Sequence, residues 1–158
     1  MKTKLNLKSN MPTIKRAIEI AIDAHKDQKD KSGESYLGHI FRVMNMGRTE
    51  EEKICGALHD VVEDTGMTFD DLRSEGFSER IIDAIVCLTK KSDTEDYDEF
   101  VGRVAKNRLA VNVKLNDLTD NMDIRRIEML KEHDIERLNK YLRAYRFLTK
   151  VAAEESNK

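Results

Sequence analysis

The chain has 158 residues, 39% apolar and 37% charged, which suits one highly charged domain with a single substantial core. Its formal charge of -2 gives no general attraction to nucleic acid, and with 6% aromatics and no tryptophan it offers no stacking platform for bases. No apolar stretch approaches the roughly 18 residues of a membrane span, and MKTKLNLKSN lacks the apolar segment of a signal peptide, so a cytoplasmic setting is expected.

Residues 1–11 read as a polar arm. From Pro12 the apolar positions Ile14, Ala17, Ile18, Ala21 and Ile22 recur at helical spacing, which predicts a first helix to about Lys26 or Gln28. His25 continues that stripe, as a core histidine or one standing behind a site. Lys29 to Ser35 is the first loop. Its composition fits a solvated turn, or a phosphate-contacting loop armed with Lys29, Lys31 and the Ser32 hydroxyl. Tyr36, His39, Ile40, Val43 and Met44 form the inward stripe of a second helix closed by Gly47.

Thr49 is placed to cap a third helix, with Glu52 at the capping-box position. That helix leads into Ala57-Leu58-His59-Asp60-Val61-Val62-Glu63-Asp64-Thr65. In a helix, His59 and Glu63 share one side, and so do Asp60 and Asp64. Four imidazole or carboxylate groups beside Leu58, Val61 and Val62 would cost several kcal/mol to bury unless they are paired or metal-bound. Thr68 with Asp71 repeats the capping signature before Gly76, and Ser78 starts a further helix. Lys90 to Asp98 reads as a mobile charged connector whose acidic run is a solvated face. Phe100 to Val104 and Arg108 to Met122 predict two more helices. Asp117 in the second of these lies between Leu115 and Leu118, four residues before Asn121. Asp134 is expected to cap a long last helix with the stripe Leu138, Tyr141, Leu142, Tyr145, Leu148 and Ala152, its basic residues facing solvent. Cys55 and Cys87, in separate apolar runs, are expected as buried free thiols. The expected fold class is all-α: a compact helical bundle of about eight segments forming a single domain over 1–158, with its core approximately at 12–150.

His39, His59, Asp60 and Asp117 come from three predicted helices and occupy apolar surroundings. Two imidazoles and two carboxylates suit Mn²⁺, Fe²⁺ or Zn²⁺ better than a thiolate-seeking ion. An HD dipeptide alone occurs by chance. The HDxxED arrangement, with an inward histidine upstream and an apolar-flanked aspartate downstream, is a much stronger signal.

Over residues 14 to 125 the sequence resembles the HD-domain metal-dependent phosphohydrolases, and among them the hydrolase domains of the RelA/SpoT group and the small alarmone hydrolases. The resemblance rests on Ala24-His25-Lys26-Asp27-Gln28, Lys31 to His39, Ala57 to Thr65, Leu88-Thr89-Lys90, and Val113 to Asp117 with Asn121-Met122. It implies a metal, usually manganese, held by His39, His59, Asp60 and Asp117, with Glu63 and Asp64 positioning and activating water. The implied reaction removes the 3′-pyrophosphate from (p)ppGpp. Lys31, Ser32 and Lys114 would meet the substrate's charge, Asn121 would bond to ribose or phosphate, and His25 would bond to a metal ligand. The chain departs from the family at Asp30, where an arginine usually packs on guanine, at Leu118 for a second arginine, at Ile40 for a proline, and at Asp120 and Asp123. Those changes make the nucleotide surface more acidic, which leaves an HD phosphatase of another nucleotide or phosphorylated metabolite, or a non-catalytic metal- or nucleotide-binding protein, as alternatives. A nucleotide is the expected partner, with no nucleic acid and no membrane; the oligomeric state stays open.

Overall fold

The structure, a computed structural model, describes residues 12–156 and the side chains through Glu154. The polar arm expected over residues 1–11 lies outside the described residues. The described chain is all-helical: α1 Ile14–His25, α2 Leu37–Met46, α3 Glu50–Leu58, α4 Val61–Asp64, α5 Phe69–Ser74, α6 Glu79–Leu88, α7 Tyr97–Val104, α8 Arg108–Asn121 and α9 Glu132–Ser156, with a 3₁₀ turn at Ile124–Arg126. A lone antiparallel bridge, Lys29 to Ser35, closes the loop before α2.

Two central helices organise the rest. Helix α3 packs against α1, α2, α6 and α8, and α8 packs against α2, α3, α6, α7 and α9. Their sequences explain this. Ile54, Cys55, Gly56, Ala57 and Leu58 are all buried in α3, and α8 buries residues on more than one face: Leu109, Ala110, Val111, Val113 and Leu118. Gly56 permits the close approach of α3 to α2, because a Cβ there would lie 2.9 Å from the Met44 Cα.

Capping residues set the starts. The Thr49 side chain accepts from the Glu52 amide, but the Glu52 carboxylate turns to the Arg48 amide (2.7 Å) and to Asn112 of α8 (2.8 Å) rather than back to Thr49. Thr68 and Asp71 complete both halves of their capping box. Helix α5 ends in a left-handed Gly76 (φ 92°), with Gly76 donating to the Arg73 carbonyl and Phe77 to that of Leu72. Ser78 and Asn107 cap α6 and α8.

Three expectations change. The connector before α7 is pinned, not mobile: Glu95 pairs with Arg103 and accepts from the Lys91 amide, while Arg103 also donates to the Thr89 carbonyl (2.9 Å). Glu95 is therefore no part of a solvated face; its side chain is 7% exposed. Helix α9 begins two residues before Asp134, which sits in its first turn and reaches back to the Lys131 amide. The inward stripe of α9 runs through Ala144 and Leu148, whereas Leu142 is exposed, because α9 rests on α7 and α8 along one side only. Both cysteines are free, Cys55 buried and Cys87 partly so.

Candidate active site

The helix does not continue through the His-Asp dipeptide. It ends at Leu58, Asp60 takes φ −107° and ψ −1°, and a new turn begins at Val61. Adjacent side chains on a continuous helix diverge by about 100°. Here the break lets both face one point, with His59 Nε2 3.0 Å from Asp60 Oδ2. His39 Nε2, from α2, lies 3.7 Å from the same oxygen. Asp117 Oδ1, from α8, lies 3.3 Å from His39 Nε2 and 3.6 Å from His59 Nε2. The donor atoms of His39, His59 and Asp60 all lie within 4.8 Å of one another.

Each member is held from behind. His39 Nδ1 is 2.7 Å from Asp120 Oδ2, and His59 Nδ1 is 2.7 Å from the Gly56 carbonyl. A carbonyl only accepts, so His59 Nδ1 carries a proton and Nε2 is the ring nitrogen turned to the centre. That Nε2 is buried and makes no hydrogen bond, despite Asp60 beside it. Tyr36 donates to Asp60 Oδ2 at 2.5 Å, and Asp117 accepts from Lys114 (2.7 Å) and Asn121 (2.6 Å). Burial pushes Asp60 and Asp117 up, but the imidazoles, and for Asp117 first the Lys114 ammonium, outweigh it and hold both carboxylates well below their usual range. Burial likewise pushes both imidazoles down, and the facing carboxylates raise them. Two carboxylates and two imidazoles thus face one point in a largely buried site, where protons on the imidazoles balance the acids and an ion bound between them would take over that balance. An orphaned Nε2, fixed tautomers and mixed nitrogen and oxygen donors fit a divalent cation.

Glu63 and Asp64 stand one turn further on. Partial burial raises both pKa values, opposed at Glu63 by the Lys90 amide (3.0 Å) and at Asp64 by the Gln28 side chain (2.9 Å). Gln28 Oε1 in turn accepts from His25 Nδ1 (2.7 Å), and the His25 ring lies 5.3 Å from that of Tyr36. His25 therefore reaches Asp64 through Gln28, and does not bond to a metal ligand as expected.

A cavity of about 370 Å³ opens over this cluster. Lys31, Ser32, Lys114 and Asn121 line it, and so do Glu63 and all four candidate ligands. Asp64 does not line it. Lys114 and Asn121 both hold Asp117, so any role toward a substrate is added to that one. Asp30 also lines the cavity, but as a loop builder: its Oδ1 accepts from the Ser32 (2.8 Å) and Glu34 (3.0 Å) amides, and Arg126 lies 3.5 Å from its Oδ2. Sequence reasoning missed Arg126, and it placed Arg137, Lys140 and Tyr141 of α9 away from the site, although all four line the cavity. Neighbouring cations depress Lys31 and Lys140 after burial has done so first, the sign of a crowded positive wall. No local pattern could reveal it, since α9 is distant in sequence. Tyr36 had a signal, the three-residue spacing to His39, but read as one more apolar position.

No protein-family model matches the chain. Over 120 residues it is 32% identical to a guanosine-3′,5′-bis(diphosphate) 3′-pyrophosphohydrolase of Aquifex aeolicus, covering 69% of this chain and 17% of that protein. The bifunctional (p)ppGpp synthase/hydrolase SpoT of Escherichia coli is 29% identical over 124 residues, with the same coverage of each. The chain belongs to the RelA/SpoT group of HD-type proteins. It spans about one sixth of the length of these group members. Some others are named GTP pyrophosphokinase, such as that of Streptomyces coelicolor, 31% identical over 126 residues. A solved structure of a metazoan SpoT ortholog that hydrolyses ppGpp superposes with a TM-score of 0.69 at 21% identity, over 89% of this chain and 92% of that one, so the RelA/SpoT likeness extends to the helical fold.

Proposed function

We propose that the chain is a cytoplasmic, single-domain, Mn²⁺-dependent pyrophosphohydrolase that removes the 3′-pyrophosphate of (p)ppGpp. Relatives of this length of match are named for synthesis as well as hydrolysis, so their names alone do not choose the reaction. The observation that carries the choice is the convergence of His39, His59, Asp60 and Asp117, with each imidazole Nε2 within 4 Å of both carboxylates, along the wall of a cavity that also holds Glu63. When bound there, the divalent ion supplies positive charge to a phosphoryl oxygen and makes a nearby water more acidic.

The chain's own residues supply the rest. Glu63 accepts the proton of the attacking water; partial burial makes its carboxylate more basic, and the Lys90 amide, bonded to it at 3.0 Å, opposes that rise and holds it in place. Asp64, steadied by Gln28, orients Glu63 or the water. The water oxygen joins the phosphorus attached to the ribose 3′ oxygen; that phosphorus–oxygen bond breaks, and the ribose oxygen leaves with a proton. Lys31, Lys90, Arg137 and Lys140 offset phosphate charge, and Arg126 neutralises Asp30 so that the acid does not repel it.

The test is release of phosphate and pyrophosphate from a nucleotide panel that includes ppGpp, with Mn²⁺ and after chelation, for wild type and Glu63→Gln. Mn²⁺-dependent pyrophosphate release from ppGpp, lost in the variant, is the expected result. Release from another nucleotide and not from ppGpp would contradict the substrate, and no release from any would contradict catalysis.

A further inference from the structure

The side chain behind His39 is not backbone, as it is for His59, but a carboxylate that is itself clamped. Asp120 is 4% exposed. Its Oδ1 accepts from Arg42 Nε at 2.5 Å, and its Oδ2 accepts from Arg42 Nη2 (3.2 Å), Arg126 Nη2 (3.1 Å) and His39 Nδ1 (2.7 Å). Arg126 also donates to the Asp120 carbonyl at 2.7 Å. Two guanidiniums cannot give up protons, so they keep this carboxylate ionised and acceptor-only. An acceptor-only group at 2.7 Å requires the proton on His39 Nδ1, and a neutral imidazole then has its lone pair on Nε2.

We propose that Asp120 is a positioning residue of the metal centre: clamped by Arg42 and Arg126, it fixes His39 in the Nδ1–H tautomer and aims Nε2 at Asp60 and Asp117. This rests on the metal-site reading above. It differs from the roles given to the four ligands, because Asp120 touches neither substrate nor ion and acts through His39 alone. Groups that orient a ligating histidine in this way are worth about 10–100-fold in metal affinity. The network also explains why an aspartate is tolerated at position 30. Arg126 holds Asp120 with one end and stands 3.5 Å from Asp30 with the other, so one alternating set of charges links the loop to His39.

The test titrates Mn²⁺ into the metal-free full chain by calorimetry for wild type, Asp120→Asn, Asp120→Ala and Arg42→Met, and records the unfolding temperature of each without metal. Asp120→Asn keeps the size and one acceptor, so it remains interpretable where Asp120→Ala folds poorly. The expected result is Mn²⁺ binding weakened about 10–100-fold in Asp120→Ala and less in Asp120→Asn and Arg42→Met. Turnover at saturating Mn²⁺ recovers toward wild type, and the metal-free unfolding temperature of Asp120→Asn stays close to wild type. In the Mg²⁺-loaded protein, the exchange-protected His39 Nδ1–H proton resonance is present in wild type and absent in Asp120→Ala. Mn²⁺ binding by both Asp120 variants within about twofold of wild type would overturn the role of Asp120 while leaving the metal site standing. Wild type that binds no Mn²⁺ would instead overturn the metal-site reading on which it rests.

Discussion

Asp60 and Asp117 are held as anions in a site almost closed to water, and removing one supporting group exposes the cost of that burial. Tyr36→Phe deletes only the hydroxyl that donates to Asp60 at 2.5 Å, and Mn²⁺ affinity is expected to fall about tenfold in a calorimetric titration. Glu63→Gln, by contrast, removes a proton acceptor and no ligand. Turnover should drop by about 10²–10⁴-fold with Mn²⁺ affinity nearly unchanged, and equal losses in both would contradict the assignment of Glu63 as base. At this scale the sequence was informative. His39, His59, Asp60 and Asp117 are all brought to one point, because ionisable groups between apolar neighbours have few other reasons to be there. Their supporters were less legible. Asp120 read as a departure from a family pattern, and its meaning depends on Arg42 and Arg126, which meet it only in three dimensions.

The elements that carry these groups owe their placement to close contacts with no side chain in them. Gly56 lies against the Met44 backbone, so Gly56→Ala should push α3 from α2 and destabilise by about 1–3 kcal/mol, lowering the unfolding temperature by about 2–4 °C per kcal/mol. Because the Gly56 carbonyl holds His59 Nδ1, metal affinity should fall with it. The Glu95–Arg103 pair anchors the segment before α7. The Arg103 guanidinium outweighs burial and holds the Glu95 carboxyl down to about 2, against an ordinary 4.5. A depressed folded pKa means stabilisation that is present above the ordinary value and lost as the pH falls through about 2. Wild type should therefore exceed Glu95→Gln in thermal stability at pH 7, and the gap should close between about pH 4.5 and 2. A gap independent of pH would contradict the ion pair. Capping residues made most helix starts readable, as at Thr49, Thr68 and Ser78. The break at His59–Asp60 was not readable, since nothing in Leu58 to Val62 forbids a continuous helix. Only the demand that two adjacent polar side chains meet one point does.

In the whole molecule, α2, the end of α3 and α8 each contribute to one centre, and the loop before α2, the turn at Ile124–Arg126 and α9 close the cavity above it. A cation that binds this arrangement and not the unfolded chain must stabilise the fold. At a free Mn²⁺ concentration about 100 times its Kd, the gain is about 2.7 kcal/mol, seen as a rise in unfolding temperature that chelation reverses. The all-helical class followed from periodicity and the scarcity of breakers. The contribution of α9 did not, because its basic face is directed by packing against α7 and α8 rather than by any pattern of its own. The most direct test of the whole account is the identity of the products when the protein meets ppGpp. With Mn²⁺ present, GDP and pyrophosphate should appear in equal amounts, and neither should form after chelation. Orthophosphate as the released species, or turnover indifferent to the chelator, would contradict it.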